Sequence, residues 1–186
     1  MKKIIFLDRD GVINKDPGGW TEYSYVTRWE DFHFIPRAKE ALKLLSDSGY
    51  DIIIISNQGG VSKKYFSAEE LKEVTDKMLQ AIEAAGAKIK KVHYCVHQDS
   101  DNCDCRKPKT GMLKRAEKEL GIKCRGAFFI GDSKVDVDAG KAMGLKTVLI
   151  LSGKTDLKDV EGWEAKPDQI FQDLLEAVKF ILQGEM

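Results

Sequence analysis

A chain of 186 residues, 42% hydrophobic and 32% charged, is long enough to bury a core and has the makeup of an ordinary globular protein. Its 30 basic and 30 acidic residues cancel, which argues against a broad electrostatic hold on nucleic acid or an anionic membrane, and no apolar stretch approaches the length of a bilayer span. The apolar run after Lys2 is cut at Asp8, too early for the core of a signal peptide, so a cytoplasmic protein acting on a small molecule is expected, with no nucleic-acid or membrane partner.

Lys3–Leu7 reads as a short strand buried on both faces, as in a parallel sheet. Asp8-Arg9-Asp10-Gly11 follows where such a strand ends and where open α/β sheets bind ligands. Side chains alternate along an extended chain, so Asp8 and Asp10 point one way and Arg9 the other, while Gly11 allows a sharp turn. Two close carboxylates repel unless a cation or a shared proton relieves them, which points to a metal site with one Asp as nucleophile and one as proton donor. Residues 14–33, with Pro17-Gly18-Gly19-Trp20 and further aromatics, form a loop that should lie over the site, with Trp20 toward the substrate.

Residues 36–48 carry a helical apolar spacing, and residues 51–55 make a second buried strand. The strand ends in Ser56-Asn57-Gln58-Gly59-Gly60, a hydroxyl and a glycine turn that can aim O–H and N–H groups at a phosphate. Residues 67–85 are a helix opened by a capping-box pattern at Ser67 and Glu70, and residues 91–96 are a third strand.

Cys95-Val96-His97, five residues, then Cys103-Asp104-Cys105 place three thiols and one imidazole within eleven residues, a set matching a closed tetrahedral Zn²⁺ site. Arg106 and Lys107 follow directly, so the clamp would fix two cations at the edge of the site, Arg as a fork of donors and Lys as a point charge. His93 and Cys124 are left out of the metal set, as packed side chains.

Residues 108–120 read as a helix, residues 127–130 as a fourth strand ending in Gly131-Asp132-Ser133, with Asp136 one helical turn on. A helix to Met143, a strand over 146–151, a polar loop over 152–167 and an amphipathic helix over 169–182 complete the chain. Strands alternating with helices predict one α/β domain over residues 1–186, a mostly parallel sheet flanked by helices with no large cap.

Asp8-Arg9-Asp10-Gly11, Ser56 at a strand end, Lys107 and Gly131-Asp132 with Asp136 resemble, in order, the four motifs of the haloacid dehalogenase (HAD) phosphatase superfamily. The combination with the Cys/His cluster is similar to the subgroup of D-glycero-D-manno-heptose 1,7-bisphosphate phosphatases and histidinol phosphatases. The resemblance implies a Rossmann-like fold and a Mg²⁺-dependent phosphoric monoester hydrolase working through an aspartyl-phosphate, acting on a small phosphate ester as a monomer. Mg²⁺ would be held by Asp8, the Asp10 backbone carbonyl and Asp132, with Asp136 direct or through water. Ser56, Arg106 and Lys107 would bind the phosphoryl oxygens, and Arg9, Asn57, Gln58, Gly59, Trp20 and Ser133 would complete the substrate pocket. Ser133 stands where some heptose enzymes have Lys. The favoured substrate is the heptose bisphosphate at its C7 phosphate. Histidinol phosphate is the alternative within the subgroup, and a non-catalytic zinc-binding module of the same fold is the alternative of another class.

Overall fold

A computed structural model describes residues 3–184. Strands β1 (Lys3–Leu7), β2 (Tyr50–Asn57), β3 (Ile89–Cys95), β4 (Phe128–Gly131), β5 (Lys146–Ile150) and β6 (Gln169–Phe171) form one sheet in the order β3-β2-β1-β4-β5-β6. Every neighbouring pair is parallel, with Ile5 opposite Ile52 on one side and Phe128 on the other. The chain returns between strands through helices α1 (Ala38–Asp47), α2 (Ala68–Ala84), α3 (Gly111–Leu120), α4 (Lys134–Ala142), the short α5 (Leu157–Val160) and α6 (Leu174–Gln183). This is a doubly wound, Rossmann-like arrangement. The order reverses between β1 and β4, which is where such sheets hold ligands.

The pleat sorts the apolar residues into two cores. Ile5, Leu7, Ile52 and Ile54 pack with Leu42 and Leu45 of α1, Met78 of α2 and Val178 of α6. Phe6, Ile53, Ile55 and Phe129 pack with Met112 and Leu113 of α3 and Ala139 of α4. Ile52 to Ile55 are all fully buried, as a strand covered on both faces requires. The capping box expected at Ser67 is formed: the Glu70 N–H donates to Ser67 Oγ at 3.0 Å and the Ser67 N–H to Glu70 Oε2 at 2.7 Å.

Three boundaries differ from the sequence reading. The helix expected over 169–182 is a strand and a helix: Gln169–Phe171 adds to the sheet edge, and the Asp173 side chain caps α6 by accepting from the Glu176 N–H. A continuous apolar pattern hid this break, because a three-residue strand is too short to show a period. The helix expected from residue 108 begins at Gly111, since Arg106 and Lys109 close a turn first. The loop over 152–167 contains α5. Among the described residues no helix is long and apolar enough to cross a membrane.

Candidate active site

Asp8 directly follows β1 and donates its N–H to the Ile130 carbonyl of β4 at 2.9 Å, so the first carboxylate is carried by two neighbouring strands. Asp132 follows β4 directly and lies beside it. Gly11 (φ 81°) turns the chain away between them, and a Cβ there would overlap the Asp132 carboxylate, so both the backbone and the contact require glycine. Asp136, in the first turn of α4, brings a third carboxylate; one oxygen from each of Asp8, Asp132 and Asp136 lies within 4.8 Å of the others.

Lys107 enters this group from the loop after the cysteine cluster. Its Nζ lies 3.0 Å from Asp8 Oδ1 and 2.5 Å from Asp136 Oδ1, and donates to the Ile55 carbonyl at 2.8 Å. Asn57 holds the lysine's backbone at both ends: Lys107 N–H donates to Asn57 Oδ1 at 3.0 Å, and Asn57 Nδ2 donates to the Lys107 carbonyl at 3.1 Å. Burial alone would lower the Lys107 ammonium, but Asp136 and Asp8 hold it above its ordinary range. Burial pushes Asp8 up to about 6 against the pull of Lys107, with Asp136 and Asp10 adding to the rise. Asp132 is raised well above the usual carboxylate range, by burial first and then by Asp136 and Asp8. Buried carboxylates sharing one lysine are a site in want of a further cation, and their hard oxygen donors suit Mg²⁺.

Asp10 is separate from that trio. Its carboxylate accepts from Arg9 Nε and Nη2 at 3.1 and 3.0 Å, from Asn14 Nδ2 at 2.8 Å and from Gln58 Nε2 at 2.7 Å. Asp8 and Asp10 both line a cavity of about 380 Å³, together with Ser56, Asn57, Arg106, Lys107, Asp132 and Ser133. Arg9, expected to meet substrate, does not reach it: its side chain is fully buried, forked onto Asp10 with its guanidinium carbon 5.6 Å from the Tyr94 ring centre. Gln58 is likewise buried, bonded to Asp10 and to Ser56 Oγ. Gly59 is not among the lining residues, and a Cβ there would stand 2.9 Å from the His97 carbonyl. Trp20 is also outside the cavity, because its Nε1 donates to the Asp16 carbonyl at 2.6 Å and its ring packs on His33. The same loop instead contributes Asp16, Ser24 and Tyr25. Ser133 Oγ donates to Asp136 Oδ2 at 2.5 Å, ordering that carboxylate.

The cysteine cluster closes beside the cavity. Cys95 ends β3, and its Sγ lies 3.5 Å from Cys103 Sγ and 2.8 Å from Cys105 Sγ; His97 Nδ1 lies 3.3 Å from Cys105 Sγ. All four donor atoms fall within 4.8 Å of one another, and all four cysteines of the chain are free thiols. Zn–S bonds of about 2.3 Å in a tetrahedron put sulfurs about 3.8 Å apart, so the donor set fits a zinc ion that draws Cys95 and Cys105 slightly apart. Arg106 leaves this loop toward the cavity with Nε 2.6 Å from Asp99 Oδ1 and Nη1 donating to the His97 carbonyl at 3.3 Å.

Sequence reasoning missed Asn14, which sits in an ordinary turn with no sign that it would hold Asp10, and Asp99, one of two acids in the spacer. It also missed Lys154, which lines the cavity and whose N–H donates to Asp132 Oδ2 at 3.0 Å. Lys154 follows the fifth strand, and the rule that ligands gather beyond strand ends could have found it.

Residues 104–177 match the family model described as HAD-hydrolase-like. The chain is 39% identical over 166 residues to a D-glycero-beta-D-manno-heptose-1,7-bisphosphate 7-phosphatase of Pasteurella multocida, covering 86% of this chain and 87% of that protein. It is 36% identical over 188 residues to the like-named protein of Haemophilus ducreyi, covering 97% and 98%. Among solved structures it is similar to D,D-heptose 1,7-bisphosphate phosphatase from B. bronchiseptica complexed with magnesium and phosphate, with a TM-score of 0.88 and 27% identity over 98% of this chain and 99% of that one.

Proposed function

This chain belongs to the HAD-like hydrolases, in the group of the D-glycero-beta-D-manno-heptose-1,7-bisphosphate 7-phosphatases, and on that premise we propose that it removes the C7 phosphate of D-glycero-D-manno-heptose 1,7-bisphosphate. The observation that carries this reading is the meeting of Asp8, Asp132 and Lys107 in a cavity that Asp10 also lines, with the buried Asp136 paired to Lys107 and close to both carboxylates. An intact pair at Asp8 and Asp10 speaks for an enzyme rather than a zinc-binding module of the same fold.

Asp8 is the nucleophile. Its free carboxylate oxygen attacks phosphorus while the bond from phosphorus to the sugar oxygen breaks, and Asp10 gives that oxygen a proton. Asp10 then takes a proton from water as the water attacks the aspartyl-phosphate, which frees phosphate and restores Asp8. The fork of Arg9 and the amides of Asn14 and Gln58 hold the Asp10 carboxylate where both transfers occur. Ser56 and Lys107 meet the phosphoryl oxygens, and Arg106 serves the same group from the rim. Asp8, Asp132 and the Asp10 carbonyl would hold Mg²⁺, with Asp136 behind them, and the bound ion offsets charge on nucleophile and phosphoryl group. Cys95, His97, Cys103 and Cys105 would hold a zinc that is structural, because they take all four tetrahedral positions.

All six strands join one sheet, which supports an enzyme formed as one domain over residues 1–186, and a monomer is the proposed state. Free thiols at the zinc site suit a reducing cytoplasm. The test is phosphate release from heptose 1,7-bisphosphate, histidinol phosphate and an aryl phosphate, with and without Mg²⁺. The expected result is Mg²⁺-dependent release, with kcat/KM for the heptose ester higher than for histidinol phosphate by about tenfold or more. A preference for histidinol phosphate would overturn the substrate, and release from none of the three would overturn the activity.

A further inference from the structure

Three cations line the cavity, and two are already engaged. Lys107 is held between Asp8 and Asp136 and belongs to the reacting phosphoryl group. Arg106 is paired with Asp99. Among the described residues, Lys154 is the lining cation whose ammonium makes no hydrogen bond or ion pair, although its charge reaches Asp132 weakly.

Its position is nevertheless fixed. The Lys154 N–H donates to Asp132 Oδ2 at 3.0 Å, and Ser152 Oγ donates to the Gly11 carbonyl at 2.9 Å. Gly153 lies so close that a Cβ would overlap the Asp132 carboxylate, and Thr155 is buried. The backbone at residue 154 is thereby tied to the carboxylate cluster, while the side chain is exposed at the cavity wall. An ammonium on a four-carbon stem, anchored at its base and unpaired at its tip, is suited to meet an anion beyond the reach of the reacting centre. A substrate with one phosphate is served by the groups around Asp8; a second phosphate brings further charge, which an ammonium without a resident partner is suited to meet.

We propose that Lys154 binds the second, non-reacting phosphate of a bisphosphate substrate and so makes the site prefer bisphosphates over monophosphates. The proposal rests on the reading of the protein as a heptose bisphosphate phosphatase. Lys154 takes no part in bond making: it pairs with an anion at the far end of the sugar and orients the near end toward Asp8.

The test measures KM and kcat for Lys154→Met and Lys154→Arg on heptose 1,7-bisphosphate, on heptose 7-phosphate and on an aryl phosphate. Lys154→Met keeps the apolar stem and alters an exposed tip. It is expected to raise the KM ratio of bisphosphate to 7-phosphate by about tenfold, while Lys154→Arg keeps the ratio within about threefold of wild type. Added salt should raise the bisphosphate KM more steeply for wild type than for Lys154→Met, because the variant has lost the screened pair. A merely structural role would move both substrates in parallel and leave the salt slopes equal, and either result overturns the proposal. If wild type hydrolyses the aryl phosphate but does not favour the bisphosphate over the 7-phosphate, the proposal falls while the phosphatase reading stands. If wild type hydrolyses none of the three, both fall.

Discussion

Lys107 Nζ stands 3.0 Å from Asp8 Oδ1, and both side chains are buried. The lysine lies 50 residues beyond Asn57, the β2 residue that clasps its backbone, yet it arrives against the carboxylate just after β1. Its reach is set from both sides, by Asn57 and by the cysteine cluster just before it. The pair balances charge in the site, and in the proposed function it holds the lysine ready for an incoming phosphoryl group.

Removing that lysine should cost stability as well as activity. Lys107→Met leaves Asp8 and Asp136 buried without their shared cation, and breaking a buried pair from one side typically costs about 3–5 kcal/mol. Denaturant unfolding of metal-free protein should show a loss of that order, and Asp136→Asn added to Lys107→Met should recover part of it. An unchanged unfolding midpoint would mean that the pair contributes nothing to folding.

Asp8→Asn should abolish turnover while keeping the fold, because it removes the nucleophilic oxygen at nearly constant size. Asp10→Asn should lower kcat by about 10²- to 10⁴-fold, the usual worth of a positioned proton donor, and should erase one limb of the pH–rate profile. Single-turnover measurements on both variants check this; wild-type turnover in Asp8→Asn would remove the nucleophile assignment.

The carboxylate cluster makes the protein sensitive to pH in a definite direction. Asp8 has a folded value of about 6 against an ordinary 3.8, so the folded state takes up this proton before the unfolded chain does. Its contribution to stability is therefore fully present below about 4 and lost as pH rises through about 6. His93 acts with the opposite sign, since burial lowers it and its contribution is lost as pH falls. The informative quantity is thus the stability difference between metal-free wild type and Asp8→Asn, which should favour the variant most at pH 7 and shrink toward pH 4. Mg²⁺ affinity, read by calorimetric titration, should weaken below about pH 6 as protons compete for Asp8. An affinity flat between pH 5 and 8 would contradict the proposed ligand set.

Elemental analysis should find about one zinc per chain, following the four-ligand rule. Cys103→Ser should lose it, raise KM through the loosened Arg106 and Lys107, and leave the α/β core folded because both hydrophobic clusters lie mainly outside the loop. Added Mg²⁺ should not restore the variant. Fully active protein that lacks zinc would refute the role given to the cluster.

Much of this architecture was readable from order along the chain. The run Ile52 to Ile55 announced a strand covered on both faces, and the spacing of Cys95, His97, Cys103 and Cys105 announced a cluster that the fold brings together. Asp8, Asp132 and Asp136 were legible because each sits at a strand end or one helical turn beyond it. What was not legible depended on side-chain direction across the fold. Arg9 alternates away from the cavity as expected, but its length lets the guanidinium return to Asp10, and no local pattern records that. Trp20 has the composition of a substrate contact, yet its indole is used up by the Asp16 carbonyl of its own loop. Asn57 looked like a turn residue beside the phosphate, and its amide proved to be the clasp on a backbone 50 residues away.

The bond between Arg106 and Asp99 bears on how the enzyme lets go. In the proposed role, phosphate must compete with a resident carboxylate that is mostly exposed and can swing back. Once the leaving group has gone, inorganic phosphate held this way would give up the guanidinium to Asp99 rather than to bulk water, an exchange that costs less than abandoning a bare cation. In that role the residue that seats the substrate would also ease release, and the enzyme would be spared a tight grip on its own product.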